Sequence, residues 1–375
     1  MPTRVTFHSL TLPTLIVVVS TGMPLVSRAQ QGVTVPIEIE HSSNPALTTN
    51  EAIGVTRLRV SPQYTLVKQD GSTQTQFSFG GVLERSSNTA VSDHRSDPNL
   101  SFAIERVLPV GSLGIRAALS ESSTRQVEFA ETGVVASDAT QRNILLDGTW
   151  TRELSDVSRF ELGLAAARVR YDTPSLVGYR ELRTSVEFTR DLQEDTQVTA
   201  RWEGSRLHPS QGTARSSQSR LAVGLSTQLR EDFRWVAEIG TVRTSGLGST
   251  RAPATLLRLD YSGERLTSTL EWSRSTAALG SLGGYTGIRQ LGWTAQYLLS
   301  ERTSVNLVTS QARTQGAGGE GGAVGSTLLA GLRHSFSEFW SLEGRLGQLR
   351  SRPNAGGSAT ANVVGLLLTY SHPDF

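Results

Sequence analysis

The chain has 375 residues, of which 37% are hydrophobic and 19% are charged, and glycine is frequent at 36 residues. Its 36 lysines and arginines against 34 acidic residues give a formal net charge of +2, which offers no basis for nucleic-acid binding. Because the chain lacks cysteine, disulfides, thiolate metal sites, cysteine nucleophiles and a lipid-modified N-terminal cysteine are excluded.

The first 29 residues have the features of a secretory signal peptide. Arg4 and His8 precede the apolar run Leu12 to Val19, and Ser27-Arg28-Ala29 places small residues at the two positions that signal peptidase reads. The run is far shorter than the ~20 residues of a transmembrane helix, so we expect cleavage after residue 29 and not an uncleaved anchor. Cleavage removes two arginines and no acid, which leaves residues 30–375 formally neutral.

After this segment, apolar residues recur at every second position. In VTVPIEIE they are Val33, Val35, Ile37 and Ile39, and in RFELGLA, residues 159–165, phenylalanine and leucine alternate with arginine, glutamate and glycine. Each alternating run is about ten residues long in total, which is the length of a tilted strand that crosses an apolar layer of ~25 Å. Further runs occupy residues 113–119, 144–150, 198–202, 221–225, 233–239 and 364–370.

Tight turns and longer loops alternate as the connections between these runs, as they do in outer-membrane barrels. Two strands for each tight turn, together with an opening strand at VTVPIEIE and a closing strand near 361–370, give about 18 strands. Sixteen strands remain an alternative, and residues 125–131 fit either a strand extension or a loop. Tight turns are expected near residues 70, 110, 155, 195, 232, 263, 302 and 339, and longer loops at 87–98, 207–217, 246–252, 277–286, 315–323 and 352–358.

The alternation therefore predicts an all-β fold, a transmembrane up-and-down antiparallel β-barrel formed by residues 30–375. A secreted β-propeller is the rival fold, because its blades also repeat at about 40 residues. A blade needs four short strands in that span, and this sequence offers two long ones.

Aromatic residues on the apolar register lie near a tight turn or the chain end. Rings of this kind favour the lipid headgroup boundary, so the pattern predicts an aromatic girdle, with an ordinary aromatic core as the alternative. The girdle residues are Trp150, Phe160, Phe188, Phe233, Trp235, Tyr261, Tyr297, Phe336, Trp340 and Tyr370.

Charged residues occupy the opposite register, which would face the lumen. Such charges are costly against hydrocarbon and ordinary against water, and a barrel of this size is wide enough for an aqueous channel. They either only hydrate the lumen or line a path for a polar or anionic solute. The eleven basic and nine acidic candidates are Arg57, Arg59, Glu105, Arg116, Asp147, Arg159, Glu161, Arg183, Glu187, Arg201, Glu203, Arg220, Arg234, Glu238, Arg258, Asp260, Glu271, Arg333, Glu343 and Arg345.

No motif predicts catalysis, a metal site or a cofactor. The histidines after the signal segment have no metal-ligand spacing such as HExxH, and the glycine-rich stretch GAGGEGG lacks the strand-then-helix context of a phosphate loop. We therefore expect neither enzyme activity nor a bound cofactor. These histidines are His41, His94, His208, His334 and His372.

The alternating strands, the girdle and the last strand NVVGLLLTY followed by Phe375 resemble bacterial outer-membrane β-barrels of the porin-like kind. This resemblance implies outer-membrane lipid and the barrel-assembly machinery as partners, although Pro373 departs from the usual terminal pattern. It implies a passive channel for small polar solutes. HSSNPAL at 41–47 is similar to a segment of barrels that accompany exosortase or exopolysaccharide-export systems, which implies an accessory export barrel with a largely blocked lumen as the alternative.

Overall fold

The computed structural model describes residues 28–125, 127, 129, 138–211, 215–246, 249–279, 284–315, 322–353 and 357–373. Within these ranges, strand segments form a single antiparallel sheet. They are β1 (Arg28–Ser42), β2 (Val55–Val60), β3 (Gln63–Asp70), β4 (Thr73–Ser86), β5 (Arg95–Leu108), β6 (Gly111–Ser123), β7 (Thr140–Ser155), β8 (Ser158–Tyr171), β9 (Tyr179–Gln193), β10 (Thr196–Pro209), β11 (Ser216–Arg230), β12 (Phe233–Ser245), β13 (Thr250–Ser262), β14 (Leu266–Leu279), β15 (Gly284–Ser300), β16 (Thr303–Gln315), β17 (Ala323–Ser335), β18 (Trp340–Pro353) and β19 (Ala359–His372).

The sheet closes on itself, because β1 pairs with β19 from Val33 opposite His372 to Ser42 opposite Val363. Each strand otherwise pairs with its neighbours in the chain. The segments β2 and β3 follow one another along the same edge of β1 and together form one barrel strand. The barrel therefore has 18 strands, which confirms the predicted all-β fold and favours 18 strands over 16.

The break between β2 and β3 lies at Ser61 and Pro62, beside Pro36 of β1. Proline lacks the backbone N–H that a sheet ladder needs, so two prolines side by side interrupt it. The Ser61 N–H donates to the Pro36 carbonyl at 2.9 Å. On the other side the chain comes so close that a Cβ at Gly80 would lie 2.3 Å from the Pro62 oxygen. Pro36 thus lies in the interior of β1, next to this interruption.

The predicted tight turns and longer loops lie at opposite ends of the barrel, here called the turn end and the loop end. The predicted strand length of ten residues was wrong, since the uninterrupted strands have 13 to 17 residues. The additional residues belong to stretches that we assigned to loops, such as 95–98 and 250–252. Their serines, threonines and prolines suggested loops, but their backbones pair with the adjacent strand, as Arg95 does with Glu84.

Several expectations fall at the limits of the described residues. Residues 1–27 of the predicted signal segment and Phe375 lie outside them, as does most of 125–131. The strand β6 ends at Ser123, so Arg125 follows the strand and does not extend it. No helix among the described residues is long and apolar enough to cross a membrane, a finding that concerns helices alone.

Candidate functional site

The inner face of the barrel is identified by contacts that cross it. The Tyr285 hydroxyl on β15 lies 2.6 Å from Ser205 Oγ on β10 and donates to Glu181 Oε1 on β9 at 2.7 Å. These strands lie five and six positions apart in the wall, so the contacts cross the interior. The Glu181 and Ser205 side chains therefore point inward, and so do the residues two, four and six positions along their strands.

An ion-pair network on β9–β12 has Arg201 at its centre. Its guanidinium lies 2.6 Å from Glu187, 3.5 Å from Glu238 and 3.9 Å from Glu203. Arg220 pairs with two of these three carboxylates, Glu203 and Glu238. Glu187 lies directly opposite Arg201 in the sheet, and Glu203 lies opposite Arg220. The network therefore runs along the wall between neighbouring strands.

A second network joins the barrel seam to the first strands. Arg59 bridges Glu38 at 2.9 Å and Glu84 at 2.7 Å, while Arg345 on β18 reaches Glu38 at 3.2 Å across β19. Arg345 also pairs with Glu343 at 2.6 Å, and Arg57 pairs with Glu40. These pairs connect the first and last strands of the chain from the inside.

All twenty predicted lumen candidates lie on the inward register of their strands, and most take part in polar contacts. Arg116 lies 3.9 Å from Asp147, and Arg258 lies 2.9 Å from Asp260. Arg183 pairs with Glu181, and Arg234 donates to Ser226 at 2.8 Å. Glu105, Arg159, Glu161, Glu271 and Arg333 stay outside the ion pairs found among the described residues.

The structure adds inward acids that sequence reasoning missed. Glu38, Glu40 and Glu84 each pair with a predicted arginine, and Glu181 binds both Arg183 and Tyr285. For Glu38 and Glu40 the signal was present, because both alternate with the isoleucines of VTVPIEIE. Tyr285 could not have been found from strand parity, because its hairpin leaves the wall.

The hairpin of β14 and β15 bends into the lumen at the loop end. Pairing of β13 with β14 stops at Thr255 opposite Arg274, although β14 continues with β15 to Leu279. Beyond that point Thr276 donates to Gln218 on β11, and Tyr285 reaches β9 and β10. The hairpin thus lies against the inner wall of β9–β13. There Ala222, Val242 and Ala254 are at most 2% exposed.

A further polar cluster adjoins a cavity of about 440 Å³ at the loop end, which Arg125 and Asp138 help to line. Asp138 lies 3.6 Å from the buried Arg125 and 3.8 Å from Arg95, which also pairs with Asp97 at 2.8 Å. Burial lowers the pKa of the Arg125 guanidinium below its ordinary value, against the opposing effect of Asp138. The Arg125 guanidinium donates to the Val91 carbonyl at 2.8 Å, so the cluster ties loop-end segments together.

The outward face exposes aliphatic side chains along the strands, such as Leu164 and Ile239. The predicted girdle residues lie on this face close to the turn end, except that Phe336 belongs to the turn after β17. The Trp150 and Phe160 rings are 6.2 Å apart, and those of Trp340 and Tyr370 are 4.9 Å apart. Each of these two contacts joins adjacent strands. Among the described residues, no cluster of histidine and acidic side chains is arranged to hold a metal ion.

Comparison with known proteins shows similarity at the level of structure. No family model matches the chain, and no curated protein matches it. OccAB4 of Acinetobacter baumannii superposes with a TM-score of 0.55 at 9% identity, covering 92% of this chain and 98% of that chain.

Two structures from Pseudomonas aeruginosa cover the same shares of both chains. The outer membrane protein OpdK has a TM-score of 0.51 at 10% identity, and OccK9 (OpdG) has 0.52 at 12%. At these identities the likeness concerns the fold. The chain therefore has the fold of a closed 18-stranded β-barrel, and this fold is similar to that of the solved outer-membrane barrels.

Proposed function

We propose that the protein is a passive channel of the bacterial outer membrane for small polar solutes. The observation that carries the proposal is the contrast between the two faces of the barrel, with aliphatic side chains outside and charged networks inside. An 18-stranded barrel is wider than its own side chains can fill. In both networks the paired side chains lie on the same strand, on adjacent strands or on strands separated by one other strand of the wall. The solved barrels that it resembles include one described as an outer membrane protein.

The proposal includes the route to the membrane. Signal peptidase would cleave after Ala29, and the barrel-assembly machinery would insert residues 30–375. No cofactor takes part, since transport through the lumen needs only water and the polar wall. Inward arginines and glutamates occur in similar numbers, so we expect weak selectivity between anions and cations.

The second candidate is an accessory barrel for envelope polysaccharide or surface-protein export, with a largely blocked lumen. The β14–β15 hairpin favours this reading, because it places two strand ends inside the barrel. The resemblance of HSSNPAL to a segment of export-associated barrels, which the sequence suggested, implies the same role.

Planar-bilayer recording of the refolded chain separates the two candidates. A channel is expected to give open steps whose conductance rises in proportion to salt concentration, and sugars of graded size added to the bath will then report the bore. Heat-modifiable gel migration verifies that the sample is folded. A folded sample that inserts but stays silent contradicts the channel and favours the accessory barrel.

Shortening the inserted hairpin should widen the channel. We expect replacement of residues 276–288 by a two-glycine turn to raise single-channel conductance about twofold, because pore radius governs conduction and the hairpin occupies part of the lumen. The matched control replaces residues 246–249 with two glycines, which shortens the β12–β13 loop in the wall. Equal conductance in both variants would show that the hairpin does not narrow the path.

A further inference from the structure

Arginines occupy the outward register of the strands at the loop end. On β7–β10 the outward residues that are exposed and apolar lie farther from the loops, and the outward residues nearer the loops include arginines. These apolar residues include Leu146, Leu164, Leu182 and Trp202. Among the described strand residues, Glu121 is the one acidic residue that lies on the outward register at the loop end. The arginines on β7–β10 are Arg142, Arg168, Arg170, Arg180 and Arg206, and the set continues around the barrel with Arg85, Arg243, Arg251, Arg274, Arg289, Arg313, Arg350 and Arg352.

Several of these arginines lie directly opposite one another. Arg168 is paired with Arg180 in the sheet, and Arg142 with Arg170. Side chains in such pairs have Cβ atoms about 5 Å apart, and like charges at that separation destabilise a sheet. Arg142 has Glu121 as a partner. Arg168, Arg170, Arg180 and Arg206 form no ion pair with a described acidic residue, so a bound external anion would reduce their mutual repulsion.

An apolar groove adjoins the paired arginines. Ala166 lies between Leu146 and Leu182 at the same height of the sheet, and its small side chain leaves a depression between the two leucines. The resulting cavity of about 340 Å³ is lined by Ile144, Leu146, Ala166, Leu182, Arg168 and Arg180, with His208 and two inward residues at its edge. A ligand for this surface therefore needs an anionic head and an apolar tail.

We propose that Arg168, Arg180 and Arg206 bind the phosphate groups of lipopolysaccharide and that the Ala166 groove receives one of its acyl chains. Guanidinium groups bind phosphate oxygens through paired charge-assisted hydrogen bonds. Longer loops face the cell exterior in outer-membrane barrels, so the arginine register lies at the headgroups of the outer leaflet, which consists of this phosphorylated lipid. The inference rests on the outer-membrane placement in the proposed function, but not on conduction.

The test measures binding of diphosphoryl lipid A to the refolded full-length chain in detergent by native mass spectrometry. The double variant Arg168→Gln/Arg180→Gln is expected to bind about tenfold more weakly, because it loses the charge-assisted bonds to phosphate. The matched control, Arg152→Gln/Arg190→Gln, removes two outward arginines from β7 and β9 at the turn end. It should bind within about twofold of the unchanged chain. Equal weakening of both double variants would overturn the proposal.

Further arms separate the phosphates from the acyl chains. Ala166→Leu fills the groove without a change of charge and should also weaken lipid A binding. Phosphate-free lipid A should bind as weakly as the arginine variant does, and inorganic phosphate at equal concentration should not displace the lipid. Displacement by inorganic phosphate, or undiminished binding of phosphate-free lipid A, contradicts a lipid phosphate site. A chain that conducts without binding lipid A refutes this inference alone, and a chain that binds without conducting refutes the channel alone.

Discussion

Leu164→Arg is expected to impair barrel assembly, with a loss of about 2–4 kcal/mol in the free energy of folding into a bilayer. Leu164 lies on the outward face of β8, and its side chain is 54% exposed. Near the middle of the apolar layer, an arginine there would have to shed its hydration without gaining a partner. Urea titration of the chain in lipid vesicles, followed by heat-modifiable gel migration, measures the change.

The matched control for this substitution is Glu161→Gln, three residues earlier on the inward face of the same strand. Glu161 lies outside the inner ion-pair networks and accepts a hydrogen bond from Thr151 at 3.4 Å. A glutamine retains the side-chain oxygen, so the variant should fold like the unchanged chain and alter only conduction. Equal tolerance of Leu164→Arg and Glu161→Gln would contradict the assignment of the two faces.

Arg201→Met should destabilise the barrel by about 3 kcal/mol, because it leaves the carboxylates of one network without their central cation. Glu187, Glu238 and Glu203 all lie within 3.9 Å of this guanidinium. The Arg201 side chain is only 14% exposed, so lumen water compensates for the loss incompletely. Urea unfolding in vesicles gives the change in free energy.

A compensated variant distinguishes lost charge pairing from lost packing. Arg201→Met combined with Glu187→Gln and Glu238→Gln removes the repelling carboxylates together with the cation, and replacing a whole buried ionic group is often close to neutral. The triple variant should therefore recover most of the stability lost in Arg201→Met. If it remains as unstable as Arg201→Met, the arginine contributes through packing and not through its charge.

Much of the fold follows from residue parity. The alternation in VTVPIEIE and RFELGLA distinguishes the inner from the outer face, and the spacing of tight turns gives the strand number. Strand lengths were underestimated because serine and threonine at the loop end pair as strand residues. Composition cannot reveal this, since a backbone hydrogen bond is independent of the side chain.

For the predicted site too, the sequence predicts some features and not others. Parity identifies inward residues one strand at a time, so it found Arg201 and Arg345 but not which carboxylates they bind. Register between strands determines those partners, as for Arg345 and Glu38, which lie 307 positions apart in the chain. Tyr285 was not predicted, because alternation along a strand assigns the inner and outer faces only while that strand remains in the barrel wall. The outward arginines were overlooked because only one register was searched for charge.

The inserted hairpin makes the cross-section of the barrel eccentric. It lies against β9–β13 at the loop end, over the entrance to the network centred on Arg201. Any open route must therefore run along the opposite side, past the seam where Arg59 and Arg345 flank Glu38. Substitutions around Glu38 should then change the ion selectivity of the channel, whereas substitutions around Arg201 should mainly change the stability of the barrel against urea.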